Sequence, residues 1–391
     1  MMGDRDCSQA AKGALIALAI WMLSGLACRN RKPAPPPKPP EPTRVRLVAV
    51  GDLLMHQDVQ RSARHAGNFD TLWADATPLF AGADIAFANL ETPVAPKCGA
   101  SGRPFVFNAP EELPLALKRS GFSILSTANN HAYDQGTKGL AETLEHLDAA
   151  GLAYTGSGRN QAAAETPRIL VCKGVRIAFL GYTDIFNHDL NQPGKGPWVN
   201  PLDEDRSPQA VREARRQADC VVVSVHWGNE YQHRPTDHQR EMAEKLFSAG
   251  ADLIIGHHPH VLQPLETGHR AGRPVAVAYS LGNFISNQDR IYQEPRPALE
   301  GDSRDGMALT ATFLQEVAPD GSRQTRLEKT GYVPLWTVNN WREVQAGQTS
   351  ARDIHVMRTD HLPGDGTLRA QRLERVRGIV GDKMEGTPEV Q

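Results

Sequence analysis

Aspartate, glutamate, asparagine and histidine recur in this chain directly after short apolar runs. Asp52 follows RVRLVAVG, with His56 shortly after it, and Glu91 follows DIAFANL. Asn130 and His131 come just after FSILST, and His226 follows DCVVVSV. His257, His258 and His260 come after DLII, and Gly282-Asn283 after PVAVAYSL. Six of the fourteen histidines sit in these positions. Imidazole and carboxylate together suit ions such as Zn, Mn or Fe. Two such ions about 3.5–4 Å apart form a clamp on phosphoryl oxygens, which a bridging carboxylate can hold. Taken singly, each motif has a plainer explanation. An Asp after a strand can cap a helix, Asn130-His131 can be turn chemistry, and His226 beside Trp227 can be a core residue. The run GHHPH (256–260) resists that explanation, because three histidines in four positions are costly to bury unless bonded. Together, with every motif after an apolar run, these residues predict a site for one or two divalent metal ions.

The apolar runs themselves predict strands at 44–51, 84–89, 122–127, 168–172, 174–182, 219–225, 252–255 and 274–281. Their near-continuous apolar character implies burial on both faces. Helical stretches lie between them, at about 110–120, 137–151, 205–217 and 236–250. In the second of these, Leu140, Leu144 and Leu147 share one face and Gly151 is a stop. Strands alternating with helices argue for an α/β fold. In open α/β sheets ligands bind beyond the carboxyl ends of the strands, where these motifs stand. Beyond residue 287 the texture changes. Residues 288–305 read as a polar loop, and 306–317 and 325–338 as further strands. The stretch 288–342 is expected to complete the main domain or form a small subdomain. Within 343–391, residues 343–366 read as irregular and 367–379 as an exposed basic helix with a solvated face.

At the other end, Arg5 and Lys12 precede an apolar run at 14–27. It is short against the about 20 residues of a membrane span and fits the core of a secretory signal ending on the small Ala27. Cys28 follows at once, so 1–28 resembles a bacterial lipoprotein signal. That resemblance implies lipidation at Cys28 and an exported, membrane-anchored protein on the periplasmic or extracellular face. Residues 29–43 are proline-rich and predict an extended spacer. The other cysteines show no C-x-x-C spacing. Cys172 and Cys220 are expected in the core, and Cys98 in a polar loop. With 43 basic and 45 acidic residues there is no basic excess, so a nucleic-acid partner is not expected.

The ordered strings GD (51–52), NLETP (89–93), ANNHAYDQG (128–136), HWGNEY (226–231), GADLIIGHHPHVLQ (250–263) and YSLGNF (279–284) resemble the poly-γ-glutamate capsule synthesis proteins, the CapA-like family. The resemblance covers about 45–287. That family is similar to the calcineurin-like metallophosphoesterases, which implies a layered sandwich of two β-sheets flanked by helices, within a domain at 44–287. It implies metal ligation by Asp52, Glu91, Asn130, His226, His258 and His260, with Glu91 at the bridging position. His56 and His257 are further candidates. Phosphoesterases have Asp-x-His where three residues separate Asp52 from His56 here, and the extra His257 leaves the choice among the three clustered histidines open. His131 is implied as the group that stabilises charge or donates a proton, with Asp134 able to fix its tautomer. Asp134 can equally be a turn former. Two functions follow as expectations. One is a metal-dependent hydrolase of phosphoester or amide bonds in the cell envelope. The other is a non-catalytic accessory protein that binds or exports an anionic polymer such as poly-γ-glutamate with a membrane synthase. For the second, the 228–240 loop with His233, Arg234, His238 and Arg240 is a candidate surface, or simply a helix entry. Gly282 and Asn283 could support a ligand loop or close a tight turn.

Overall fold

A computed structural model describes residues 41–99, 105–288 and 301–385. The expected export signal, Cys7, Cys28 and the spacer up to residue 40 lie outside the described residues, as do 289–300 of the expected loop.

The chain forms β1 (Thr43–Leu53), β2 (Ile85–Leu90), β3 (Ile124–Ser126), β4 (Ala153–Thr155), β5 (Ser157–Gly158), β6 (Arg168–Cys172), β7 (Val175–Thr183) and β8 (Trp198–Val199). It continues through β9 (Cys220–His226), β10 (Leu253–His257), β11 (Leu265–Arg270), β12 (Arg273–Ala278), β13 (Asn283–Ile285), β14 (Asp305–Val317), β15 (Arg323–Asn339) and β16 (Ile354–Arg358). One sheet has the order β16-β15-β14-β1-β2-β3-β4, with β13 also against β1. The other has the order β11-β12-β10-β9-β7-β6, and β5 pairs with β8. β1 to β4 run parallel, as do β7, β9, β10 and β12.

Side-chain alternation explains how the layers form. In β1, Val45, Leu47 and Ala49 face the second sheet and pack in one cluster with Phe179, Val222, Leu253 and Ile255. Phe87 stacks on Phe179 across this interior, ring centroids 6.1 Å apart. Val48 and Val50 point the other way, into a layer with Trp73, Leu113, Leu140, Leu144 and Leu147. On the far face of the second sheet, Val221 and Val223 meet Val211, Met242 and Leu246 from two helices. Full burial of each such side chain contributes roughly 1.5–3 kcal/mol. The result is the two-sheet sandwich flanked by helices that the family resemblance implies. Helix Asp237–Ala249 starts on a capping box, in which Thr236 accepts from the Gln239 N–H and the Gln239 side chain accepts from the Thr236 N–H.

Three sequence expectations change. The stretch 343–366 is not irregular throughout, because Ile354–Arg358 pairs with β15. Ile354 and Val356 are buried in the helix-facing layer, an alternation too short to read amid polar neighbours. Helix Thr367–Val380 is not merely a solvated face. Val376 and Val380 are buried, and two of its arginines turn inward. Arg372 donates to Asp302 at 2.9 Å and also pairs with Asp305, while Arg375 reaches Asp302 at 2.7 Å. Cys220 is buried, but Cys172 is half-buried because β6 is the edge of its sheet.

This clamp makes a testable prediction. Burial alone would raise the Asp302 carboxyl, but hydrogen bonds from His233, Arg375 and Arg372 together hold it well below the usual carboxylate range. Removing one partner of a buried ion pair typically costs about 3 kcal/mol or more. Asp302→Asn should lower stability by about that much at pH 7, read from urea unfolding. A depressed folded pKa gives stability that is present above the unfolded value of about 3.9 and lost as pH falls through the folded one. The gap between wild type and variant should therefore close at acidic pH.

Candidate metal centre

The centre is built where parallel strands end. Asp52 lies at the end of β1, beside Asn89 of β2 and Asn283 of β13. Glu91 follows β2 directly, and β9 and β10 end side by side on His226 and His257. The turn after β10 holds His258 and His260 at φ 95° and 57°, conformations a side chain adopts only when its surroundings impose them. All of these side chains are buried.

Their donor atoms converge. One set is Asp52, Glu91 and His226, and a second is Glu91, His258 and His260, with the atoms of each set within 4.8 Å of one another. Glu91 belongs to both. His226 Nε2 lies 3.5 Å and His260 Nε2 3.7 Å from Glu91 Oε1. His257 Nδ1 and His260 Nδ1 each lie 3.2 Å from an Asp52 oxygen. Asn130 Oδ1 stands 3.0 Å from His226 Nε2.

Several of these atoms have no hydrogen-bond partner. Glu91 Oε1, both ring nitrogens of His257, and His258 Nδ1 are buried and unsatisfied. His257 Nδ1 is near enough to Asp52 for attraction, yet not aligned for a hydrogen bond. Orphaned buried polar atoms cost about 1–3 kcal/mol each. So many in one place fit a donor set shaped for a cation.

The electrostatics agree. Burial pushes His258 down to about 3, aided by His260, and His56 down to about 4. Burial, then His258, also holds His226 well below its ordinary value. Neutral imidazoles keep the lone pair that ligation needs. Burial raises Glu91 well above the usual range, and the Asp52 charge adds to that. Burial would raise Asp52 too, but attraction to the His257 and His260 rings, each 3.2 Å away, wins and holds it low. A divalent cation would reverse the penalty on Glu91.

Asparagines set the geometry. Asn89 Nδ2 donates to Asp52 at 2.9 Å and to Glu91 at 3.3 Å, spacing the two carboxylates. Asn283 Oδ1 lies 3.1 Å from His260 Nδ1, and its Nδ2 donates to the Ser303 carbonyl. Gly282 and Asn283 thus tie the centre to the loop held by the Asp302 clamp. Beside the cluster, His131 Nδ1 lies 2.9 Å from Asp134 Oδ2, which also accepts the Phe107 N–H at 2.6 Å. Phe107 packs on the His131 ring at 4.5 Å.

Other candidates fall elsewhere. His56 is in neither ligand set. Its ring meets Phe107 edge-on at 4.8 Å, and its Nδ1 accepts the Asn287 N–H. The 228–240 loop is largely committed to the protein itself. His233 bonds the Leu262 carbonyl and Asp302, His238 lies 3.4 Å from Asp184, and Arg240 pairs with Glu266. Asn187 was invisible in the sequence, a lone asparagine in a polar loop. It contacts both Asn130 and His131.

Residues 46–288 match the family described as Bacterial capsule synthesis protein PGA_cap. The chain belongs to this family. It is 35% identical over 243 residues to "PGA biosynthesis protein CapA" of Bacillus subtilis (strain 168), covering 61% of this chain and 62% of that protein. It is 31% identical over 279 residues to "Capsule biosynthesis protein CapA" of Bacillus anthracis, covering 69% of this chain and 67% of that one. Among solved structures it is similar to a phosphatase from Mycoplasma pneumoniae, at 13% identity and a TM-score of 0.41 over 75% of this chain and 93% of that one. In this PGA_cap member the family segment contains every residue of the centre, whereas the Asp302–Arg372–Arg375 clamp lies beyond it.

Proposed function

We propose that this PGA_cap member is a divalent-metal-dependent hydrolase of the cell envelope, cleaving amide or phosphoester bonds in the making of an anionic polymer of the poly-γ-glutamate type. The observation that carries this reading is the buried Glu91, shared by two ligand sets with one oxygen unpartnered. Asp52, Glu91, Asn130, His226, His258 and His260 would hold one or two ions, Mn, Zn or Fe, with His257 beside Asp52. Bound there, such ions supply Lewis-acid polarisation of a carbonyl or phosphoryl oxygen. The chain's own residues do the rest. Asp134, fixed by the Phe107 N–H, holds a proton at His131 Nδ1 and sets the ring's orientation. That leaves His131 Nε2 as the atom that stabilises charge or passes a proton on the substrate.

The apolar run at 14–27 with Ala27-Cys28 supports export and a lipid anchor on Cys28. The balanced charge supports a partner other than nucleic acid. The membrane synthase or exporter of the polymer is the natural partner. A second reading is favoured by the family's description, which speaks of synthesis and not of cleavage. In that reading the centre grips the polymer's carboxylates without turnover.

Full-length protein supplied with Mn, Zn or Fe separates the two when assayed on poly-γ-glutamate and p-nitrophenyl phosphate. Hydrolysis that falls roughly 10²–10⁴-fold in His131→Ala with metal retained is the expected result. Polymer binding without cleavage would favour the accessory role. Neither binding nor cleavage would contradict both.

A further inference from the structure

We infer that Asn187, in the loop between β7 and β8, is a positioning residue that decides which end of the Asn130 amide faces the metal centre. The inference rests on the metal-binding reading above. An asparagine amide has two ends of nearly equal shape and opposite role, and only the carbonyl oxygen can ligate a cation. Packing does not tell the ends apart. Polar neighbours must, and two are available to the Asn130 side chain among the described contacts. On one side Asn130 Nδ2 donates to Asn187 Oδ1 at 3.3 Å. On the other its Oδ1 stands 3.0 Å from His226 Nε2, inside the ligand cluster. An acceptor at 187 therefore selects the orientation that turns oxygen inward.

The loop is anchored so that this acceptor stays in place. The Asp184 N–H donates to the His226 carbonyl at 2.9 Å, and the Asn187 N–H donates to the Asn130 carbonyl at 3.2 Å. Both are backbone bonds and survive any substitution of the side chain. Asn187 Nδ2 also lies 3.3 Å from His131 Nδ1, a contact and not a hydrogen bond, because the proton on that nitrogen goes to Asp134. Asn187 is itself exposed, so changing it opens no core cavity.

The test is calorimetric titration of Mn²⁺ into metal-stripped, full-length protein, which needs no turnover. Asn187→Ala should weaken Mn²⁺ about tenfold, as loss of a partner behind a ligand commonly does. Asn187→Asp keeps an acceptor toward Asn130 Nδ2 and should bind as tightly as wild type or more tightly. Glu91→Ala serves as the non-binding reference. Wild-type affinity in Asn187→Ala would overturn the assignment alone. So would equal weakening in the Ala and Asp variants, because loop packing and not an acceptor would then be at issue. A wild-type chain that takes up no Mn²⁺ would overturn the metal reading and this assignment with it.

Discussion

Glu91→Gln is expected to make the metal-free protein more stable than wild type while abolishing the stabilisation that divalent ions confer. Glu91 is buried with an unsatisfied oxygen, and burial together with Asp52 opposes its charge. Glutamine keeps the shape, removes the charge and brings an N–H able to donate toward Asp52. Relieving a strained functional site commonly gains about 0.5–2 kcal/mol. Wild type should recover more than that once metal is added, about 2.7 kcal/mol at a hundredfold excess over Kd. The variant should recover none. The pH dependence has a definite sign. A carboxyl raised in the folded state binds more protons there than when unfolded, so metal-free wild type should lose stability as pH rises above the unfolded value of about 4.3. Glu91→Gln should lack that slope. Urea unfolding with and without Mn²⁺ at several pH values reads all three effects. A variant that is weaker without metal and still stabilised by it would contradict the site.

Gly51→Ala should be among the most damaging single methyl additions in the chain. A Cβ there would lie 1.9 Å from the Gly282 carbonyl oxygen and 3.2 Å from that of Leu281. Both obstacles are backbone, so no side chain can swing aside. The neighbouring Asp52 N–H already donates to Gly282 at 3.1 Å, and Asp52 pairs with Asn283. Relief would require β1 and β13 to part, drawing Asp52 away from the asparagine that holds His260. A loss of about 4 kcal/mol or more is expected, in the range reserved for such mechanisms. Any protein that still folds should take up metal poorly. Gly378→Ala is the control. It lies in a helix with no atom near the added methyl, and should be neutral or gain up to about 1 kcal/mol. Equal soluble yield and urea midpoints for the two variants would contradict the close approach.

The legible parts of this protein share a cause. β9 is apolar at nearly every position because both its faces are covered, and the same burial makes the polar residues at its end conspicuous. Asp52, Glu91, Asn130 and the clustered histidines could be picked out because each follows such a strand. Gly282-Asn283 also stood out, though its role as the support of His260 needed the fold. What stayed hidden depends on contacts between distant positions. Nothing local marks Asn187 as the neighbour of Asn130, 57 residues earlier. The arginines of helix Thr367–Val380 look like surface charges until Asp302 and Asp305 are seen to face them. His233 looks like part of a loop surface until it is found on Asp302. β16 presents two buried aliphatic residues among polar ones, too little periodicity to separate from a loop.

The central claim is that the strand-end cluster holds divalent metal. Anomalous diffraction from crystals of the full-length protein grown with Mn²⁺, recorded on both sides of an absorption edge, tests it most directly. One or two peaks enclosed by Asp52, Glu91, Asn130, His226, His258 and His260 are predicted. Well-ordered crystals with no peak there, or with metal only on surface carboxylates, would contradict it.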